Sequence, residues 1–327
     1  MQVEPVVFKL QRLLRTQLDA QKHYLLAVSG GADSLALAHG CAALARSGHG
    51  AYSVCHIEHG LRGAEALRDM QLVQRFCAAY GLPCYVEHVD VRALAAAEHL
   101  SVEDAARRLR YEALRRVAAQ VGAAAIVTAH HEGDQAETVL LKLLRGAGLD
   151  GLSGMRGQQG DILRPLLSLP RELLEQYCAA EQLEFCHDST NDDTAYTRNS
   201  VRKELLPLLA ERYNAEIVPA LARTALLLGE DADFLTQTAD AAYARLVTSA
   251  EDGLHIALKP LLAEHIAVRL RVLRRAYFEL GGSELSFERS RALAALCERR
   301  SGGRLIQLPG GITATIKNKQ IIFTRLS

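Results

Sequence analysis

Short apolar segments alternate with helical patterns over the first half of this sequence. Four segments consist almost entirely of apolar residues and are predicted to be strands: 24–28, 52–57, 84–89 and 124–129. The intervals between them carry apolar residues at helical spacing, as does the stretch 6–18 ahead of the first strand. Strands that are apolar throughout and separated by helices are typical of a parallel sheet covered on both faces. The sequence therefore predicts an α/β fold.

The alternation changes character near residue 215. Helical patterns dominate residues 216–300, and three short strands are predicted at the end of the chain: 304–308, 312–316 and 320–325. A chain of 327 residues also exceeds the size at which one hydrophobic core usually stops growing. We therefore predict two domains, a parallel-sheet domain at residues 1–215 and a smaller, mainly helical domain at residues 216–327.

Composition limits the class of protein without identifying it. The 38 Lys and Arg residues balance 38 Asp and Glu residues, so the net charge gives no general attraction to nucleic acid. Nine basic and four acidic residues do fall within 267–304, where a basic helical face would suit phosphate contacts or simply be solvated. No apolar run approaches the roughly 18–20 residues that span a bilayer, and the first residues lack the pattern of a secretory signal. Seven cysteines without a Cys-x-x-Cys pair favour reduced thiols, so we expect a cytoplasmic protein without a membrane segment.

The most informative motif is a hexapeptide between the first strand and the following helix, Ser29-Gly30-Gly31-Ala32-Asp33-Ser34. Its glycines let backbone N–H groups approach an anion, and the helix N-terminus and the serine hydroxyls add further donors. A carboxylate beside a polyphosphate is repelled unless a divalent cation lies between them, so Asp33 is predicted to be a Mg²⁺ ligand. The alternative is an ordinary strand-to-helix turn in which Asp33 or Ser34 caps the helix.

This hexapeptide resembles the Ser-Gly-Gly-x-Asp-Ser signature of the PP-loop ATP pyrophosphatases, and it matches neither the Walker A loop nor the Rossmann fingerprint. Further segments together resemble one family within that superfamily, the tRNA(Ile)-lysidine synthetases. They are residues 56–62, 105–111, 128–138, 144–152, 164–167, 188–191 and 198–202. The resemblance covers most of residues 20–215. The C-terminal part resembles the first appended domain of that family more loosely, and we expect no second appended domain.

Three positions depart from the family pattern. Glu58 stands where the family has aspartate, which keeps the charge but moves it. Gly133 stands where many members have a first aspartate, so only Asp134 can be carried over from that pair. Ser200 stands where arginine is common, which weakens any phosphate contact assigned to that position.

The resemblance implies a parallel-sheet PP-loop ATPase domain of the adenine nucleotide alpha hydrolase type, and a two-step reaction with ATP and Mg²⁺ as cofactors. O2 of the wobble cytidine in the CAU anticodon of isoleucine tRNA attacks the α-phosphate of ATP, and pyrophosphate leaves. The ε-amine of free L-lysine then attacks C2 and displaces AMP, which yields lysidine. The partners are therefore this tRNA and lysine, with no membrane, and a homodimer is compatible with the family.

The resemblance also implies roles for individual residues. The ATP-binding residues are Ser29, Gly30, Gly31, Ala32, Asp33, Ser34, His56 and Arg62. The catalytic residues are Asp33, Arg107, Asp134 and Glu137, and the residues that contact phosphates or tRNA are Arg110, Arg198, Asn199 and Arg202. Asp134 and Glu137, on one helix face, are also expected to bind lysine. Its ε-amine, with a pKa of about 10.4, arrives protonated, so carboxylates can hold the ammonium group and one of them can accept its proton.

Other interpretations of these residues stay open at the level of sequence. His130 and His131 could cap a helix at a strand end, or form a metal site with Asp134 and Glu137. A tRNA thiolase of the same superfamily would be expected to contain Cys-x-x-Cys pairs, which this sequence lacks. A non-catalytic nucleotide-binding module would not need the acidic residues beside the phosphate loop. The polar run 188–193 could be an ordinary loop.

Overall fold

The computed structural model describes residues 5–60, 63–186, 197–298 and 305–325. The chain forms two compact units, residues 1–229 and 230–327. The division falls inside a helix, Ile217–Leu246, that begins two residues after our predicted boundary at 215. The assignment of separate domains to either side of residue 215 stays a prediction.

The first unit alternates strands and helices along the chain. Its helices are α1 Val6–Gln17, α2 Ala32–Arg46, α3 Ala64–Tyr80, α4 Val91–Glu98, α5 Val102–Val121, α6 Glu132–Leu144, α7 Leu149–Leu152, α8 Arg171–Ala180, α9 Thr197–Ser200 and α10 Leu206–Arg212. Its strands are β1 His23–Ala27, β2 Ala51–Glu58, β3 Cys84–His88, β4 Ala125–Val127, β5 Gln158–Gln159 and β6 Ile162–Leu163. A π-helical turn, Val201–Leu205, joins α9 to α10, and α11 (Ile217–Leu246) follows.

The six strands form one sheet in the order β3-β2-β1-β4-β6-β5. Neighbouring strands are parallel, apart from β5 and β6, which pair antiparallel. The strand order reverses at β1, because β2 follows on one side of it and β4 lies on the other. In open sheets of this kind, ligands bind outside the carboxyl ends of the strands at such a point. The residues that follow β1 and β4 are therefore where a site is expected.

Both faces of this sheet are covered, because alternate residues of a strand point to opposite sides. Leu26 of β1 belongs to a buried cluster with Leu14 of α1 and Leu37 of α2. Its neighbour Leu25 belongs to a second cluster with Leu114 of α5 on the other face. Burial on both sides explains why residues 24–27 of the central strand are apolar at consecutive positions rather than at alternate ones.

The predicted α/β class and the four predicted strands are confirmed. Helix α4 and the strand pair β5–β6 were not predicted. Each of these two strands has only two residues, which is too short to show a periodic pattern. Among the helices of the described residues, none is long and apolar enough to cross a membrane.

The second unit combines helices with an antiparallel sheet. Its elements after α11 are β7 Val247–Ala250, β8 Gly253–Ala257, α12 Leu258–Ala263, α13 Ile266–Glu279, α14 Phe287–Glu298, β9 Leu305–Leu308, β10 Ile312–Lys317 and β11 Gln320–Arg325. The strand order is β7-β8-β11-β10-β9. The three terminal strands are confirmed, whereas the hairpin β7–β8 was not predicted because β7 is largely exposed and α12 extends the apolar run.

The basic stretch predicted in this unit is partly used inside it. Arg269 is buried and donates to Glu298 at 2.9 Å, and Arg275 pairs with Asp240 while its guanidinium lies over the ring of Tyr243. These two arginines therefore stabilise the unit itself. Arg299, Arg300 and Arg304 lie outside the described residues.

We predict that Gly253→Ala strongly destabilises the second unit. Gly253 has φ +138°, and an added Cβ would lie 2.0 Å from the carbonyl oxygen of Phe323 in the paired strand β11. Gly48→Ala is the matched control, because Gly48 also has a positive φ but nothing lies near its added Cβ. Denaturant titration should show a loss of about 1–2 kcal/mol for Gly48→Ala and a clearly larger loss for Gly253→Ala. Equal losses would show that β8 and β11 can move apart freely.

Candidate active site

The phosphate-loop hexapeptide follows β1 and ends in the first turn of α2, at the carboxyl edge of the sheet. Gly30 has φ +99°, a conformation that favours glycine, and its carbonyl accepts the Cys186 N–H at 2.9 Å. The hydroxyl of Ser34 donates to the Gly31 carbonyl at 2.9 Å and lies 3.2 Å from the hydroxyl of Ser29. These contacts hold the loop in shape at the N-terminus of a helix, where backbone N–H groups favour an anion.

Asp33 lies in the first turn of α2 and is partly buried. Its Oδ1 is buried and accepts no hydrogen bond from the described residues, although the Nε of Arg171 lies 3.9 Å away. Burial raises the pKa of this carboxyl group, while His131 and Arg171 act in the opposite direction. A carboxylate oxygen that is desolvated and without a donor fits the predicted role of Asp33 as a ligand of Mg²⁺.

A cavity of about 270 Å³ opens beside this loop. Its lining comes from the ends of β1, β2 and β4 and from α5: Ala27, Val28, Ser29, Gly31, Asp33, Ser34, Cys55, His56, Ile57, His59, Arg110, Tyr111, Leu114, Thr128, Ala129, His130 and Asp134. The loop, three strand ends and an arginine thus surround one space, as the position of the strand reversal predicts.

Two histidines in this lining are held in fixed orientations. His56 is buried, and its Nδ1 donates to the carbonyl of Val28 at 2.9 Å. The Nδ1 of His130 lies 2.8 Å from the hydroxyl of Thr128. Burial lowers the pKa of His130 to about 4, so this ring is neutral near pH 7.

An acidic pair on α6 lies next to Asp33 and contacts two arginines. Glu137 is almost completely buried, and Arg198 and Arg202 donate to it at 2.7 and 2.5 Å. Asp134 accepts from Arg198 at 3.1 Å. Burial alone would raise the pKa of Asp134, but His131, His130 and Arg198 outweigh it and the pKa lies below its ordinary value. Asp134 is therefore ionised near pH 7, and both carboxyl groups are paired with arginines.

Charged groups of both signs meet at this edge of the sheet. The carboxylates of Asp134 and Glu137 pair with the guanidinium groups of Arg198 and Arg202. The guanidinium group of Arg171 lies 3.9 Å from Asp33 and 3.3 Å from Glu175. Because a buried charge without a partner is costly, these pairings are a condition for the site to fold.

The remaining predicted residues occupy different places. Arg110 lines the cavity, whereas Arg107 is exposed and its guanidinium lies 5.2 Å from the ring centre of Tyr111, which lines the cavity. Asn199 lies on α9 between the two paired arginines. Arg62 and residues 188–191 lie outside the described residues.

Each residue that departs from the family pattern has a local contact. Glu58 accepts the N–H of Gly60 at 2.8 Å and faces His88 at 3.3 Å. The hydroxyl of Ser200 donates to Glu204 at 2.6 Å. Gly133 donates its N–H to the Nδ1 of His131, which caps α6. The capping interpretation of His131 is therefore correct, and within the described ranges no group of three or more His, Cys, Asp and Glu side chains could hold a metal ion.

Sequence reasoning did not find Arg171. This arginine follows Pro170 at the start of α8 and contacts Asp33 across 138 positions of the sequence. An arginine in the first turn of a helix is an ordinary surface residue by pattern, so nothing in the sequence marked it.

The comparison with known families decides the assignment of the first unit. The sequence profile of the PP-loop domain matches residues 3–209. The chain belongs to the PP-loop family. The hexapeptide at residues 29–34, which carries the PP-loop signature, lies within the matched range.

Three relatives of this chain carry the same protein name. The chain is 39% identical over 306 residues to the tRNA(Ile)-lysidine synthase of Geobacter sulfurreducens, which covers 92% of this chain and 64% of that protein. It is 39% identical over 308 residues to that of Thermus thermophilus (94% and 57%) and 33% identical over 292 residues to that of Clostridium acetobutylicum (89% and 63%). The chain spans less than two thirds of the length of these relatives.

A solved structure has a similar fold. It is the U34-tRNA thiolase NcsA from Methanococcus maripaludis with its [4Fe-4S] cluster, with a TM-score of 0.58 and 16% sequence identity. The match covers 69% of this chain and 80% of that chain. At this identity the similarity shows a common fold and nothing about the reaction.

We predict that Glu137→Gln destabilises the first unit by about 3 kcal/mol, because Arg198 and Arg202 would lose their buried counter-charge. Glu112→Gln is the matched control, since Glu112 pairs with Arg108 at an exposed site. Its cost should stay within about 0.5 kcal/mol. Denaturant titration measures both values. Similar costs for the two variants would mean that the pairing of Glu137 contributes no more to the free energy of unfolding than an exposed ion pair does.

The lowered pKa of His130 predicts a pH dependence. Between pH 6.5 and about 4 the unfolded chain gains a proton at this residue and the folded chain does not, so the free energy of unfolding falls as the pH falls. In His130→Gln this fall should be smaller, by up to about 3 kcal/mol. Denaturant titrations of both proteins across this range test the prediction, and parallel pH profiles would refute it.

Proposed function

We propose that this chain ligates lysine to C2 of the wobble cytidine in the CAU anticodon of isoleucine tRNA, through an adenylated cytidine, with release of pyrophosphate and AMP. One observation carries the proposal: the PP-loop aspartate Asp33 and Asp134 of α6 line one cavity, and Glu137 lies one helical turn further along α6. The name shared by the relatives, tRNA(Ile)-lysidine synthase, supports the same reaction.

The nucleotide is proposed to bind with its phosphates on the PP-loop. The N–H groups at the start of α2 and the hydroxyls of Ser29 and Ser34 are positioned to donate to phosphate oxygens, and His56 lines the same cavity. Asp33 would hold Mg²⁺, which when bound neutralises charge on the phosphates. Arg110 lines this cavity and can pair with phosphate oxygens.

The first chemical step forms a bond between O2 of the cytidine and the α-phosphorus of ATP. The bond from that phosphorus to the bridging oxygen breaks, and pyrophosphate leaves. In the second step the neutral ε-amine attacks C2, the bond from C2 to the adenylated oxygen breaks, and AMP leaves. The ammonium form must first lose a proton, and we propose as its acceptor Asp134, which lines the cavity, or Glu137, one helical turn further along α6.

The arginines impose a condition on lysine binding. Arg198 and Arg202 donate to the carboxylates that the ammonium group needs. A lysine that binds there must therefore replace at least one arginine contact, because both carboxylates are already paired with arginines. The guanidinium group that is released can then pair with a phosphate of ATP or of the leaving AMP.

The binding of tRNA and the cellular location of the protein are also part of the proposal. A wobble base can enter the cavity only when it is unstacked, which fits a single-stranded anticodon loop. The second unit is proposed to contact the tRNA, and the cytoplasm is the proposed location. A homodimer stays a prediction from the family resemblance.

The reaction is tested directly by mass spectrometry of an isoleucine tRNA transcript with a CAU anticodon. After incubation with the protein, Mg-ATP and isotopically labelled lysine, the wobble nucleotide should gain one lysine less one water. The matched control is the same transcript with uridine at the wobble position, which should gain nothing. A sulfur-for-oxygen mass change, or no labelled product, would refute the proposed reaction.

We predict that Asp33→Asn reduces pyrophosphate release by about 100-fold or more while the chain stays folded. The reaction loses several kcal/mol of electrostatic stabilisation, and a neutral amide is easier to bury at this position than a carboxylate. Asp161→Asn is the control, because Asp161 is a partly exposed carboxylate that pairs with Arg115 away from the cavity lining. Near-normal pyrophosphate release by Asp33→Asn would reject the role of Asp33.

A further inference from the structure

His131 is the last residue before α6 and is buried between the PP-loop and the acidic pair. Its Nδ1 lies 3.1 Å from the backbone N–H of Gly133, which donates to it. A backbone amide can only donate, so Nδ1 carries no proton and the neutral ring must carry its proton on Nε2. The cap of the helix therefore fixes the tautomer of the ring.

The protonated side of this ring faces two carboxylates. The Nε2 atom lies 3.5 Å from Oδ2 of Asp134 and 3.8 Å from Oδ2 of Asp33. The same Oδ2 of Asp134 accepts the backbone N–H of His131 at 3.1 Å. One residue thus contacts both the carboxylate of the PP-loop and the carboxylate of α6, which otherwise repel each other.

Gly133 leaves the space that this ring occupies. A Cβ added to Gly133 would lie 2.9 Å from Cε1 and 3.1 Å from Nδ1 of His131. Side chains do not approach so closely without a shift, so a larger residue at 133 would move the ring or break the cap. The glycine that departs from the family pattern at residue 133 therefore lies where the ring of His131 needs space.

We propose that His131 is a positioning residue. Its Nε2–H group orients the carboxylates of Asp33 and Asp134 toward each other, so that the nucleotide and the lysine amine are bound side by side. The inference rests on the proposed function and adds a residue to it. His131 acts through the two carboxylates. Its effect should therefore appear in turnover and in the use of lysine rather than in stability alone.

Two substitutions separate the cap from the Nε2–H group. His131→Asn keeps a short acceptor that can cap α6 but removes the donor at the position of Nε2. His131→Gln places an amide N–H near the position of Nε2 but loses the short acceptor. A purely structural role predicts that activity follows stability in both variants. A positioning role predicts that it does not.

A second histidine cap in the chain supplies the matched control. His265 caps α13, where its Nδ1 accepts the N–H of Ala267 at 3.2 Å, and its side chain is exposed at a site outside the cavity lining. His265→Gln therefore measures what the loss of a histidine cap costs in melting temperature without a change at Asp33 or Asp134.

The experiment measures melting temperature, kcat and the KM values for lysine and ATP for wild type and the three variants. We expect His131→Asn to melt near wild type but to lose about 10- to 100-fold in kcat, with a raised KM for lysine. We expect His131→Gln to melt lower, as His265→Gln does, and to keep more activity than His131→Asn.

The inference is overturned if His131→Asn turns over like wild type, or if the activities of both His131 variants simply follow their melting temperatures. A wild-type protein that forms no lysidine would instead refute the proposed function. In that case, calorimetric titration of the variants with Mg-ATP still tests the contact with Asp33, because His131→Asn should bind the nucleotide more weakly than His131→Gln.

Discussion

The pairing of the buried carboxylate of Glu137 with Arg198 and Arg202 is the interaction on which the rest of the site depends. Glu137 lies on α6, and its partners lie 61 and 65 residues further along the chain. A carboxyl group that is buried to this degree is tolerated only when it is paired and hydrogen-bonded. The pairing therefore fixes the segment from α9 to α10 beside the carboxyl edge of the sheet and delivers two cations to it.

This pairing also connects the two halves of the proposed reaction. Asp134, one helical turn before Glu137, shares Arg198 with it and faces His131, which in turn faces Asp33 on the PP-loop. Phosphate chemistry needs cations and backbone donors, whereas an ammonium substrate needs carboxylates. Here the cations and the carboxylates lie in one network. Binding of one proposed substrate would therefore change the charge that the other substrate meets.

The sequence predicted the parts of the structure that depend on local pattern. The apolar strand β1, the hexapeptide after it and the helices α2 and α6 follow from residue spacing and turn chemistry within short windows. The sequence also placed Asp33, Asp134 and Arg198 among the candidate residues. These residues belong to motifs, and a motif alone does not show which residues its side chains contact.

Long-range pairing is what the sequence could not predict. Nothing in the local pattern tells that Arg198 and Arg202 meet Glu137, that Arg171 approaches Asp33, or that His131 both caps a helix and faces two carboxylates. The hairpin β7–β8 was missed for a related reason, because its inner strand β8 pairs with β11, which lies more than 60 residues further along the chain. Long-range contacts of this kind depend on the fold. A motif predicts them only when the pattern of the whole family is known.

Calorimetric titration of the intact chain with Mg²⁺ and a non-hydrolysable ATP analogue tests the central claim most directly. If the PP-loop, the cavity and the network of carboxylates and arginines form one nucleotide site, the chain should bind one analogue per molecule, and binding should weaken when Mg²⁺ is replaced by a chelator. A titration without measurable heat and without competition by ATP would contradict the account, since the loop would then be an ordinary turn between a strand and a helix.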